Sequence, residues 1–307
     1  MSTEMKVRDK IIDLGDNITI VYQEPEVFSK YHVVYYGHKY SDYYFRNSPN
    51  ELLKKAKYID SGYLIYKENK IVGGVFIKPN FMTDLFVVPP YNDYEYLADK
   101  LLKYLKTISN KDEKILLQEI IEEYLPFYKS KNCEITESGF WMIRTTEEIN
   151  PIIPEKYEVR DIVDEYKYEM AEVIMAAYRA NPAMKSVESK KFYVEHVESA
   201  MQYIKDNSTL YNSSKVMFYK PANEIVGLCL HMEFEGLPLI MSFAVRPDHQ
   251  GKGVGSYLLK NSISCSSAKY PATRLYVING NPAIEIYEHM GFIRNKSIND
   301  MHLKSFL

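Results

Sequence analysis

The segment Gln250-Gly-Lys-Gly-Val-Gly255 has the residue types and spacing best suited to chemistry. It follows Phe243-Ala-Val-Arg-Pro247, an apolar run closed by a proline, and leads into a helix-like pattern through Leu258-Leu259. A strand that ends, a glycine loop and a helix that begins leave several backbone N–H groups without partners and aimed at one place. The partial positive charge of the helix start adds to them, so an anion such as a phosphate fits there. Other phosphate loops are spaced differently. Gly-x-x-x-x-Gly-Lys-Ser/Thr fails because Gly253 follows Lys252, and Gly-x-Gly-x-x-Gly fails because the glycines stand at 251, 253 and 255. No acidic residue closes a following strand about twenty residues on, where a ribose clamp would sit.

Other reactive side chains are fewer. Tyr287 lies in Asn281-Pro-Ala-Ile-Glu-Ile-Tyr-Glu-His-Met-Gly-Phe292, on a short helix beyond a strand that ends near Ile278. His231, Glu233 and Glu235 alternate along a strand, which puts them on one face toward the proposed cleft. Each can act as a base or stand at a solvated hairpin end. His249 reads as a turn or surface residue and His289 as an exposed helix residue. Cys133, Cys229 and Cys265 are odd in number and widely spaced, giving neither a disulfide framework nor a zinc pattern. Cys229 shares a strand face with His231, but a rise of roughly 6.6 Å is long for an activated thiol. No set of His, Cys and carboxylates has metal-ligand spacing, so no catalytic metal is expected.

The elements that must position these residues read as α/β. In the second half, Val163 to Tyr178 and Ser189 to Tyr203 are amphipathic helix candidates. Thr209 to Phe218, Glu224 to Glu233 and Leu237 to Val245 follow as strands of an antiparallel meander. A helix runs from the glycines to about Ser264, then a strand over Arg274 to Ile278, a helix over Pro282 to His289 and a last strand from Phe292. The first half repeats the order: a hairpin of Tyr63 to Lys67 and Ile71 to Ile77, strands at Phe81 to Val88 and Ile115 to Leu117, then Pro126 to Lys129. Val87-Val-Pro-Pro90 stands where Ala244-Val-Arg-Pro247 does, which suggests an internal duplication. In that register Gly251, Gly253 and Gly255 become Tyr94, Tyr96 and Ala98, flanked by Asp93 and Glu95. Bulk and negative charge there predict a copy without an anion site. Thr145 to Glu155, with two prolines, reads as a linker, giving domains over 1–150 and 151–307.

At 307 residues the chain is long enough for two cores. A net charge of −3 without a basic tract argues against a nucleic-acid partner. The polar start and the lack of any apolar run of spanning length argue against a membrane and make the cytoplasm the expected location. The 28 tyrosines suit aromatic cleft walls, although compositional bias explains them equally.

The motif Gln250-Gly-Lys-Gly-Val-Gly255, the preceding Phe243-Ala-Val-Arg-Pro247 and the Tyr287 segment together resemble the GCN5-related N-acetyltransferase (GNAT) family. The strong resemblance covers Val226 to Phe292, and the first half resembles a degenerate copy. The fold implied is a tandem of GNAT domains, each a mixed, largely antiparallel twisted sheet flanked by helices. The function implied is acetyl transfer from acetyl-CoA to a primary amine of a small molecule or peptide, by direct attack in a ternary complex. A non-catalytic coenzyme A sensor or scaffold is the alternative. By the resemblance, Gln250, Gly251, Lys252, Gly253, Val254, Gly255 and Ser256 cradle the pyrophosphate, and Phe243, Ala244 and Val245 meet the pantetheine arm through their backbones. The N–H of Phe243 or Ala244 faces the thioester carbonyl, Tyr287 protonates the leaving thiolate or only packs on the cofactor, and Glu233 or Glu235 acts as base. The family asparagine falls at Gly280, so Asn281 contacts the cofactor from one residue away.

Overall fold

The computed structural model describes residues 11–37, 53–54, 61–234 and 236–303. The chain divides into two compact units, Met1–Ser138 with Lys296–Leu307, and Gly139–Asn295.

The first unit opens with strands β1 (Ile11–Asp13) and β2 (Ile18–Tyr22), then helix α1 (Pro25–Tyr31) and a π-turn (His32–Tyr36). Strands β3 (Gly62–Lys67), β4 (Lys70–Lys78) and β5 (Phe81–Val87) extend the antiparallel sheet. Glu68 and Asn69, at φ 50 and 65, form the two-residue turn between β3 and β4 whose twist matches its strands. Helix α2 (Tyr94–Ile108) starts on Asp93, whose carboxylate accepts from the Tyr96 N–H at 3.0 Å. Its apolar stripe, Leu97, Leu101 and Leu105, is fully buried against Ile65, Val75 and Met82 of the sheet. Strand β6 (Ile115–Ile121) then pairs parallel to β5, and α3 (Leu125–Ser130) follows.

Strand β7 (Cys133–Thr145) begins in the first unit, and its part from Gly139 belongs to the second. There follow β8 (Tyr157–Asp161), α4 (Lys167–Arg179), α5 (Lys190–Ile204), α6 (Ser208–Ser213), β9 (Lys215–Tyr219), β10 (Glu224–Phe234), β11 (Leu237–Val245), α7 (Val254–Ser266), β12 (Ala272–Ile278), α8 (Ala283–His289), β13 (Ile293–Arg294) and β14 (Ile298–Leu303). Strands β8 to β11 form the expected antiparallel meander, β12 runs parallel to β11, and β7 pairs antiparallel with β12 and β13. One face of this sheet packs under α4 and α5 through Leu228, Leu230 and Ala244. Its other face packs on α7 and α8 through Val245, Leu275 and Val277. Each unit is thus a mixed, largely antiparallel sheet flanked by helices.

Several boundaries differ from the sequence reading. Thr209 to Phe218 is not one strand: its start is α6, because Asn207 caps a helical turn by accepting from the Leu210 N–H at 3.2 Å. The chain beyond Phe292 is two strands, and β14 pairs with β6 in the first unit. Residues 139–145, expected in the first domain, edge the second sheet. Alternation within a strand reveals its faces but not its neighbours, so neither assignment was available from local pattern. Among the described residues no helix is long and apolar enough to cross a membrane.

Candidate functional site

Strands β11 and β12 are in register only at Leu239 and Arg274, so the parallel pair splits toward Val245. A cavity of about 380 Å³ opens at the split. Its walls are the end of α4 at Tyr178 and Asn181, the strand end Phe243–Val245, the glycine loop with the start of α7, and Asn281 to Tyr287.

The loop begins with a 3₁₀ turn at Pro247–His249. Gly251 and Gly253 follow at φ 71 and 84, left-handed values that cost other residues about 1–2 kcal/mol. A Cβ added at Gly251 would meet nothing within 4 Å. The first helical bond is Tyr257 N–H to Gly253 O at 3.0 Å, and no side chain caps α7. Among the described residues, the N–H groups of Gly251, Lys252, Gly253, Val254, Gly255 and Ser256 therefore have no protein acceptor. Clustered orphan amides at a helix start make an anion site.

Several loop residues act differently from expectation. The Gln250 N–H is taken by Pro247 O at 3.3 Å, while its side chain donates to Val245 O at 3.1 Å. Gly255 lines the cavity and is also needed for close packing, because a Cβ there would lie 3.0 Å from the Phe243 ring. The Lys252 ammonium is held at Asp248 O, 2.6 Å away, and Val254 is buried beneath the loop. The Val254 side chain is therefore out of a ligand's reach, whereas the exposed Lys252 ammonium keeps two further N–H donors. His249 is buried, not at the surface, with Nδ1 2.9 Å from the Tyr157 hydroxyl.

The strand edge can be assigned from its bonds. Arg246 N–H donates to Val226 O at 2.8 Å, and Ala244 lies opposite Leu228 in the same register. Alternation then turns the N–H groups of Phe243 and Val245 toward the split and that of Ala244 toward β10. Of the two expected donors, Phe243 is the one facing the cavity. Tyr287 is buried at the cavity floor, and its hydroxyl has no hydrogen-bond partner among the described residues. Burial pushes this phenol far above its ordinary pKa, with smaller contributions from Tyr178 and Cys229. Asn281 lines the cavity while its Oδ1 accepts from Ala283 N–H at 2.9 Å, which leaves its amide NH₂ for a ligand.

The expected bases do not gather here. Glu233 accepts from the Tyr270 hydroxyl at 2.6 Å and from Asn207 at 3.4 Å, and it does not line the cavity. Glu235 lies outside the described residues. His231 is fully buried away from the split, 2.7 Å from the Ser262 hydroxyl on α7, and burial pushes its pKa down to about 3. Cys229 is fully buried, its thiol pushed up to about 12 by desolvation, so it stays protonated and inert. Among the described residues no group of three or more His, Cys, Asp or Glu is placed to hold a metal. Sequence reasoning did not single out Tyr178, which lines the cavity at the end of α4.

In the first unit the matching helix start is occupied by protein. Tyr96 N–H goes to the Asp93 carboxylate, Leu97 N–H to Asp93 O and Tyr94 N–H to Asn92 O. Tyr94 is buried and stacked on Tyr124 with centroids 3.6 Å apart. Three amides at the start of α2 are thus taken by protein oxygens.

Solved structures share this fold at low identity. A GCN5-related N-acetyltransferase from Sphaerobacter thermophilus matches with a TM-score of 0.67 at 16% identity, over 94% of this chain and 96% of that one. A tandem GNAT protein from the clavulanic acid biosynthesis pathway matches with a TM-score of 0.57 at 10% identity, over 93% and 98%. A GCN5-related glucosamine N-acetyltransferase region of a fungal multi-domain GH3 beta-N-acetylglucosaminidase gives 0.56 at 9% identity, over 93% of this chain and 38% of that one. No curated protein matches. Residues 212–294 match the family model of the acetyltransferase (GNAT) domain, and within that segment lie the bare loop amides, the edge of β11 and Tyr287.

Proposed function

We propose that the second unit is an acetyl-CoA-dependent N-acetyltransferase acting on a primary amine, and that the first unit is a degenerate copy of the same domain kept as scaffold. The observation that carries this reading is the run of unpaired N–H groups from Gly251 to Ser256 at the mouth of the split. Together they supply donors and partial positive charge to a diphosphate, with no side chain in the way at Gly251. The cradle fits that group. The exposed edge of β11 suits the amide-rich arm of coenzyme A, which can bind as an added strand.

The Phe243 N–H is the donor for the thioester oxygen as it gains charge. The amine nitrogen attacks the carbonyl carbon, the C–N bond forms and the C–S bond breaks. The attacking amine gives up one proton to solvent, and solvent returns one to the departing thiolate. Tyr287, kept neutral by burial, offers its hydroxyl proton to the sulfur as a hydrogen bond. The Asn281 amide supports the arm. Glu233 is not proposed as the base, since Tyr270, Asn207 and Lys269 already surround its carboxylate. The first unit's lack of a cofactor site follows from Asp93, whose carboxylate and carbonyl take the Tyr96 and Leu97 N–H groups at the start of α2.

The test is thiol release from acetyl-CoA in the presence of spermidine, glucosamine, lysine and glycinamide. Release that depends on one of these amines is the expected result. Saturable acetyl-CoA binding without any amine-dependent release would favour the sensor reading instead.

A further inference from the structure

Resting on the acetyl-transfer reading above, we propose that Asn181 selects the acceptor. Its side-chain amide donates to a carbonyl oxygen beside the attacking amine, so the preferred substrates are α-amino amides and peptide N-termini. The cavity wall contains one turn twice. Asn181-Pro-Ala183 follows α4, and Asn281-Pro-Ala283 leads into α8. The two turns make the same three bonds. Asn181 N–H donates to Tyr178 O at 3.1 Å, as Asn281 N–H does to Ile278 O at 3.1 Å. Ala183 N–H and Ala283 N–H donate to Oδ1 of Asn181 and Asn281, at 3.0 and 2.9 Å. Met184 N–H and Ile284 N–H then reach Asn181 O and Asn281 O, each at 3.1 Å.

These bonds orient each side chain. A backbone N–H holds Oδ1, so the NH₂ end of each asparagine is the one left to donate. Both asparagines line the same cavity, and neither NH₂ group has an acceptor among the described residues. They reach the cavity from opposite faces of the sheet. Helix α4 packs on the face of Leu228 and Ala244, whereas α8 packs on the face of Val245 and Val277. A cofactor arm lying in the split along the Phe243–Val245 edge meets Asn281 and the buried Tyr287 on the α8 side. The α4 side, with Tyr178 and Asn181, is left for the amine to approach the thioester carbonyl.

An amide NH₂ only donates, so Asn181 reads an oxygen and not an ammonium. Among the described residues, the side chains lining the cavity are all uncharged. A carboxylate brought there would lose water without gaining a cation, whereas a neutral carbonyl needs only a hydrogen-bond donor. An α-amino amide has such a carbonyl one carbon away from its nitrogen. Oxygen and nucleophile then occupy the same part of the cavity, and the bond to Asn181 holds the nitrogen beside the thioester. Attack forms the C–N bond and breaks the C–S bond as described above. Asn181 orients the acceptor and takes no proton.

The test measures kcat/KM, referred to the neutral amine, for three acceptors. They are glycinamide, isobutylamine (nearly the same shape without the carbonyl) and glycine with its carboxylate. Wild type should prefer glycinamide to either of the others by about 10-fold, the scale of one hydrogen bond made away from water. Asn181→Asp keeps the oxygen that Ala183 N–H needs but removes both donors. It should cut kcat/KM for glycinamide about 10-fold more than for isobutylamine, with KM for acetyl-CoA unchanged. Asn181→Ala should split the two amines in the same direction. Asn281→Asp should instead raise KM for acetyl-CoA and affect both amines alike. The wild-type preference keeps the proposal testable if an Asn181 variant fails to fold. Transfer without a preference for glycinamide would overturn this inference alone. So would Asn181 variants that lower both amines equally or that raise KM for acetyl-CoA. Bound acetyl-CoA with no transfer to these amines or to spermidine, glucosamine or lysine would overturn it together with the transferase reading.

Discussion

Replacing Gly253 by tryptophan should weaken acetyl-CoA binding by more than about 100-fold while leaving the fold in place. Gly253 lines the cavity at φ 84, just ahead of the first bonded turn of α7. An indole there would cover the unpaired amides on either side of it, each a charge-assisted bond to phosphate worth about 1.5–3 kcal/mol. The left-handed backbone adds about 1–2 kcal/mol of strain, and a side chain would press on Pro154, 3.1 Å from the added Cβ. That strain should lower Tm by a few degrees without unfolding the domain. Gly251→Ala separates the two effects, since it carries similar strain with only a methyl in open space. Its affinity should fall far less. Calorimetric titration with acetyl-CoA reads both variants, and near-normal affinity in Gly253→Trp would remove the loop from the site.

Tyr287→Phe should lower kcat by about 30-fold and leave KM for acetyl-CoA within about threefold, as expected when an interaction made mainly in the transition state is lost. The ring is buried against Phe243 and Phe292, so phenylalanine keeps the packing. The hydroxyl has no partner among the described residues, so deleting it leaves no protein group unsatisfied and stability should hold. Because burial keeps the phenol protonated, the wild type should show no loss of rate from Tyr287 ionisation up to the alkaline limit of the fold. Steady-state kinetics across pH provide the check. Unchanged turnover in the variant would confine Tyr287 to packing.

The loop was legible because its signal is local. Three glycines at alternate positions between an apolar run and a helical pattern fix the backbone almost by themselves, and Gly251 and Gly253 have the positive φ that the pattern suggested. The packing role of Gly255 was not legible, because the ring it accommodates, Phe243, belongs to a different element. The same limit applies to the base. Alternation set His231 with Glu233 and Glu235 on a face toward the cleft but could not tell that Ser262 of α7 covers His231. Nor could it bring together His196 of α5 and Ser242 of β11, which are 2.8 Å apart in the fold. Tyr94, Tyr96 and Ala98, with Asp93 and Glu95 beside them, suggested a helix start without an anion site, and Asp93 caps α2 there by accepting from the Tyr96 N–H. Strand β14 was misplaced for a different reason: pairing with β6 is decided by long-range packing that no local pattern encodes.

A crystal structure of the protein soaked with acetyl-CoA tests the central claim most directly. The expected density places the diphosphate within hydrogen-bond distance of the N–H groups between Gly251 and Ser256, with the arm along the Phe243–Val245 edge. A diphosphate bound elsewhere, or loop amides turned inward onto protein oxygens, would contradict the account.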